Sequence, residues 1–143
     1  MSNWVKKVAD FHGAFLHPVP KLHRGLDYLD TQDALTNIRL RKSLITEEYT
    51  ELLSGLSQAE AQTYCSLPIT QEVKEEILDA ITDLIYVTIG TAIDFGFDLE
   101  GAFEEVQRSN MSKLGEDGKP IFRKDGKILK GPNYKKPALS SFV

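Results

Sequence analysis

The chain has 143 residues, of which 41% are hydrophobic and 27% charged, proportions of a globular protein rather than a disordered or fibrous one. A chain of this length is expected to form one domain over residues 1–143 around a single core. The formal net charge of −4 conceals an asymmetry: residues 1–112 carry 9 Lys and Arg against 18 Asp and Glu, while residues 113–143 carry 8 against 3. An acidic body with a basic tail suggests acidic groups that hold a cation, with a cationic segment nearby to meet an anion. A tail that is merely solvated is the plainer alternative. The single cysteine, Cys65, excludes an internal disulfide and a cysteine zinc site. Neither an apolar leader at Met1–Lys7 nor a run of roughly 18 apolar residues is present. A cytoplasmic protein with no membrane partner is the expectation.

In chain order, Val5, Val8, Phe11 and Phe15 have helical spacing, so a short amphipathic helix is expected over residues 1–17, ended by Pro18 and Pro20. An irregular stretch follows to Asp33, an N-cap residue type, and a long helix is expected from there to Leu56, with Gly55 near its end. Ser57–Ile69 reads as a loop or a short extra helix. Thr70 caps a second long helix, with Glu72 and Glu75 in its first turns, and Gly96 stops it after Phe95. A further helix is expected from Asp98 to Leu114. Only residues 120–129 read as strands, because Asp125-Gly126 between two short apolar runs signals a hairpin. The architecture expected is all-α, of four-helix-bundle type, with a short C-terminal β-hairpin and an extended basic tail.

The candidate chemistry lies in Glu47, Glu48 and Glu51 on the first long helix and in Glu76, Asp79 and Asp83 on the second. At 100° per residue, Leu44 and Leu52 flank Glu48 at about 40° on either side, so Glu48 lies within the apolar face. Asp79 and Asp83 fall on a narrow stripe with Glu76, and Tyr86, Val87 and Gly90 continue it without charge. Leu84–Ile93 has no charged residue, as in a helix buried all round, so the acids are expected to open onto an interior. Two carboxylates about 4–5 Å apart repel by roughly 3–4 kcal/mol at an effective dielectric near 20. Arg39, Arg41 and Lys42 are the only basic residues close in sequence to the first set. A divalent cation is the economical partner, and all-oxygen ligands suit Mg²⁺ or Mn²⁺. An interhelical salt-bridge network is the alternative. His12, His17 and His23 lie at irregular spacing near the N-terminus and read as structural or surface residues.

Glu-Glu-x-x-Glu at Glu47–Glu51, followed by acids before Asp83-Leu84-Ile85-Tyr86-Val87, resembles the all-α nucleoside triphosphate pyrophosphohydrolases, which include MazG, dimeric dUTPases and phosphoribosyl-ATP pyrophosphohydrolases. Val8–His12, Phe95–Leu99, Arg108–Lys113 and Gly131–Pro137 are similar to the single-domain bacterial and phage branch. One departure stands out: where the family has Glu-x-x-Asp, this chain has Ala80 before Asp83. That leaves open which of Glu76, Asp79 and Asp83 would touch metal directly.

The resemblance implies hydrolysis of a nucleoside triphosphate to the monophosphate and pyrophosphate, with no nucleic acid partner. Glu48, Glu51, Glu76, Asp79 and Asp83 would hold metal, and Glu47 or Glu48 would orient or deprotonate water. Asn110 and Lys113 would contact phosphate, with Lys127, Lys130 or Lys135 closing over it. Asn110 as a helix C-cap and Lys113 as a surface lysine are the plainer readings. Tyr86 and Trp4 would stack on a base or simply pack. Kinship with phage members implies a purine substrate such as (d)GTP. Phosphoribosyl-ATP hydrolysis and a non-enzymatic helical assembly are the rival readings. A homo-oligomer, either a dimer or a dimer of dimers, is expected under each of them.

Overall fold

The computed structural model describes residues 3–143, except for the side chain of Tyr28. Its helices are α1 (Asn3–Ala14), α2 (Thr31–Tyr64), α3 (Gln71–Asp94) and α4 (Leu99–Met111), with a 3-10 turn at Gly25–Tyr28. The chain divides into two compact units, Ser2–Gly96 and Phe97–Val143. Among the described residues no single helix is long and apolar enough to cross a membrane.

In the first unit α2 and α3 run antiparallel. Arg41 pairs with Asp94, Gly55 faces Ile77, Gln58 reaches Glu76 and Gln62 reaches Thr70. As the residue number rises on α2, its partner's number falls on α3. Gly55 does not end α2, as its sequence suggests, because the absent side chain is used for close approach. A Cβ at Gly55 would lie 2.9 Å from Ile77 Cγ1. α2 therefore continues as one 34-residue helix through the segment expected to be a loop or an extra helix. Its N-cap is Asp30, whose carboxylate accepts from Asp33 N at 2.9 Å, so Asp33 sits inside the first turn. Thr70 caps α3 as expected, its hydroxyl accepting from Val73 N at 3.4 Å.

α1 lies along α3, burying Val8 and His12. It ends at Ala14, before the prolines, and Leu16 then takes a left-handed φ of 58°. The 3-10 turn docks on the end of α3 through two glycines with left-handed φ, Gly25 at 49° and Gly96 at 66°. His23 N donates to Gly96 O at 2.7 Å. A Cβ at Gly25 would stand 2.6 Å from Phe95 O, and one at Gly96 would stand 2.5 Å from Gly25 N. Both positions therefore combine left-handed backbone with backbone contact.

In the second unit Asp98 caps α4 by accepting from Gly101 N at 3.0 Å. The segment after α4 returns along it. Gly131 N donates to Lys113 O at 2.9 Å, Lys135 N to Ser112 Oγ at 2.9 Å, and Ala138 N to Glu105 Oε1 at 2.8 Å. The expected β-hairpin is not formed. Among the described residues there is no strand, and the segment keeps a single antiparallel bridge between Phe122 and Ile128 around a turn at Gly126. Residues 120–130 are all exposed, so no apolar face is buried to extend the pairing.

Candidate functional site

The site is built on the α2–α3 pair. Interpolated between Arg41–Asp94 and Gly55–Ile77, Glu48 lies level with the turn of α3 that carries Asp83 and Tyr86. Glu48 is half-buried and its carboxyl is raised above the usual carboxylate range. Burial is the largest cause, followed by the charges of Asp83, Glu51, Glu47 and Asp79. Four of the other five acids picked out in the sequence thus act on Glu48. The sixth, Glu76, lies farther toward the α3 N-terminus, where Gln58 Nε2 donates to its Oε2 at 2.9 Å.

The expectation that these acids face an interior needs correction. Glu47, Glu51, Glu76, Asp79 and Asp83 are all exposed, and only Glu48 is withdrawn. The second half of α3 is uncharged because Ile89, Gly90 and Ala92 are buried there, while the acids occupy its open N-terminal half. Among the described residues no three Asp, Glu, His or Cys side chains are gathered closely enough to form a ready metal cage. The donor set still fits a divalent ion in its chemistry, since it consists of carboxylate oxygens in mutual repulsion.

Arg41, one of the three candidate counter-cations close in sequence, is committed elsewhere. Its guanidinium pairs through Nε with Asp94, and its Nη2 lies 3.1 Å from His12 Nε2. All three side chains are buried, Asp94 completely. His12 Nδ1 lies 3.1 Å from Pro18 O and 3.3 Å from Asp94 Oδ1. An arginine donor at Nε2 with a carbonyl at Nδ1 matches the tautomer protonated on Nδ1. Burial pushes the Asp94 carboxyl up, but the contacts with His12 and Arg41 and the Arg41 charge outweigh it and hold it low. Gly90 makes room for this cluster, since a Cβ there would stand 2.8 Å from His12 Nε2 and 3.0 Å from Arg41 Nη1. Sequence reasoning left His12 as structural and did not connect it to Asp94. The available signal was one aspartate ending a ten-residue uncharged run.

The expected phosphate contacts lie in the second unit. Asn110 Oδ1 accepts from Lys113 Nζ at 2.8 Å at the end of α4. Lys127 and Lys135 are exposed, and the Lys130 ammonium stands 4.4 Å from the centre of the Tyr134 ring. Tyr86 is half-buried, with its ring edge-on to Phe11 at 5.7 Å.

No curated protein matches the sequence. Among solved structures, one named "putative NTP pyrophosphohydrolase" from Exiguobacterium sp. 255-15 is 27% identical. That alignment covers 95% of this chain and 89% of the other, with a TM-score of 0.43. Residues 8–110, which include the second half of α1, the whole of α2 and α3 with the six acids, and α4 except Met111, match the family described as phosphoribosyl-ATP pyrophosphohydrolase. The chain belongs to that family, within the all-α, MazG-like nucleoside triphosphate pyrophosphohydrolases.

Proposed function

We propose that this protein hydrolyses a nucleoside triphosphate, a purine (d)NTP such as (d)GTP in the first instance, to the monophosphate and pyrophosphate. The observation that carries the reading is the half-buried Glu48, level with Asp83 and raised first by its burial and then by four neighbouring carboxylates. Such a group is more basic than a solvated glutamate, and so is suited to accept the proton of an attacking water. Glu47 is its neighbour on the exposed side and is the second candidate for that task.

Glu48, Glu51, Asp79 and Asp83 would hold Mg²⁺ or Mn²⁺, with Glu76 supporting from the next turns through Gln58. When bound, the ion supplies charge neutralisation at the phosphate oxygens. Within the second unit, Lys113, Lys127, Lys130 and Lys135 are the phosphate-contact candidates that the family resemblance implies, and Asn110 accepts from Lys113 Nζ at 2.8 Å. Apolar side chains left exposed on α2 and α3, including Leu53, Leu56, Leu78 and Ile81, support assembly into a dimer or a dimer of dimers.

The family's description favours phosphoribosyl-ATP as a second substrate candidate. One assay tests both. The protein is incubated with each (d)NTP and with phosphoribosyl-ATP in Mg²⁺ or Mn²⁺, and the products are separated. Monophosphate with pyrophosphate is the expected result. Diphosphate with phosphate, or no turnover of any nucleotide, overturns the proposal.

A further inference from the structure

α1 ends in a backbone motif that brings two histidines together. Leu16 takes a left-handed φ of 58°, and His17 N then donates to His12 O at 2.9 Å, the closing bond of a Schellman cap. The residue that donates this bond commonly makes an apolar contact with the last turn of the helix. Here that residue is His17, whose ring centre lies 5.4 Å from that of His12 and is stacked on Phe11 at 6.3 Å. Phe11 is also the ring that meets Tyr86 on α3. The end of α1 is thus seated on α3 through a patch that contains a titratable ring.

We infer that His17 is the trigger of a proton-operated clasp. While neutral, it keeps α1 seated on α3. Protonated in mildly acidic solution, it lifts the end of α1 and widens the cavity of about 250 Å³ that Trp4, Lys7 and Val8 form with Thr82, Tyr86 and Ile89. Release also takes Phe11 away from Tyr86, one turn after Asp83 on α3, so the clasp links solution pH to the turn that carries the acids.

The charges around His17 set the direction. The groups that act on it are His12 on α1, Arg41 on α2 and Asp94 on α3. Arg41 and Asp94 are one cation and one anion, already paired through Arg41 Nε and Asp94 Oδ2, while Asp94 Oδ1 faces His12 Nδ1 at 3.3 Å. Among the described residues the His17 ring has stacking partners but no hydrogen bond or ion pair of its own. A proton there places a second cation near Arg41 with no carboxylate left to receive it.

Burial, and then the charges of Arg41 and His12, accordingly hold the His17 ring below its ordinary 6.5, against the smaller pull of Asp94. The seated state therefore binds this proton less tightly than the released one. Seating is fully favoured above about pH 6.5 and weakens as pH falls through that value.

Trp4, the sole tryptophan, stands on the cavity wall eight residues before His12, about 12 Å along the helix. Its emission therefore reports the seating of α1 rather than contact with a charged imidazole. The full-length protein, without metal or nucleotide, is titrated from about pH 8 to pH 5, the range in which histidine changes charge, and emission is followed beside far-ultraviolet circular dichroism. A reversible red shift centred below about pH 6.5 is expected, with most of the helical signal retained. His17→Phe keeps a ring on Phe11 and takes no proton, so its emission should stay at the high-pH value throughout. His23→Gln should titrate as the wild type does. Amide exchange of the wild type gives a readout that needs no variant: over the same range, corrected for intrinsic rates, α1 should lose protection while α3 keeps it.

A red shift that persists in His17→Phe, or that disappears in His23→Gln, overturns the inference. Flat wild-type emission with α1 still protected does so too. A midpoint that moves with protein concentration assigns the change to association between copies, and one that coincides with loss of the whole helical signal assigns it to global unfolding; either result overturns the clasp.

Discussion

Glu48→Gln separates the demands of catalysis from those of folding. The substitution keeps the shape of the side chain and removes one charge from a set of five carboxylates. Because Glu48 is only half-buried, each repulsion is screened by solvent, and the net relief is about 1 kcal/mol. For a chain of this size that corresponds to a rise in Tm of about 3 °C. Turnover should fall by about 10²- to 10⁴-fold if Glu48 accepts the proton of water.

The pH dependence has a definite sign. The folded carboxyl is raised, so the folded state holds its proton more tightly than the unfolded state does. Its stability is therefore greatest below the unfolded carboxylate pKa of about 4.3, and the penalty enters as pH rises through the folded value. The stability advantage of Glu48→Gln should be present at neutral pH and vanish below about pH 4. Calorimetric scans from pH 4 to 8 measure it, and a Mg²⁺ series at pH 7 adds an independent readout. Under the proposed function, saturating metal at 100 times its Kd should stabilise the wild type by about 2.7 kcal/mol, and the variant should gain less. A variant that melts below the wild type at neutral pH while keeping full turnover would refute both the repulsion and the role.

Asp94→Ala leaves the Arg41 guanidinium buried without its carboxylate and should cost about 3–5 kcal/mol in urea or thermal unfolding. The Asp94 carboxyl is held low, so its contribution is present above the unfolded pKa and is lost as pH falls through the folded one. Asp94→Asn should accordingly lack that part of the wild type's acid unfolding limb. Gly90→Ala places a methyl group against His12 and Arg41, and overpacking of about 1–3 kcal/mol outweighs the gain of about 1 kcal/mol in helix propensity, so a lower Tm is expected. Glu105, lowered to about 2 by its bond with Arg108 and then by Ala138 N, ties the returning segment to α4. Glu105→Ala should speed limited proteolysis after Lys135, and an unchanged cleavage rate would show that the segment is held by its other contacts.

Much of the fold is legible in local signals. The helix starts at Thr70 and Asp98 follow from side chains that cap their own first turn, and that chemistry needs no partner. The end of α2 is not legible, because Gly55 has two meanings in sequence. As a terminator it releases the backbone, whereas at a crossing it admits a neighbouring helix, and only the presence of Ile77 on α3 decides between them. The hairpin fails for a related reason. Asp125-Gly126 does form its turn, yet a two-stranded ribbon with both faces exposed has nothing to hold it beyond one bridge.

The same dependence on partners governs the site. Asp79, Asp83, Tyr86, Gly90 and Asp94 recur every three or four residues, so a helical wheel places them on one stripe of α3 and treats its aspartates alike. The antiparallel α2 then sets opposite charges against the two ends of that stripe. It brings Arg41 to Asp94, where a carboxylate can be buried, and Glu48 to the level of Asp83, where carboxylates repel one another. Arg41 and Glu48 are seven residues apart on α2, two helical turns on the same face, so fixing the first pair fixes the height of the second. The buried cluster therefore withdraws Arg41 from the three basic residues close in sequence to the acids. A helix pair in this register retains a carboxylate group with unbalanced charge, the condition in which a divalent cation and its phosphate ligand bind most favourably.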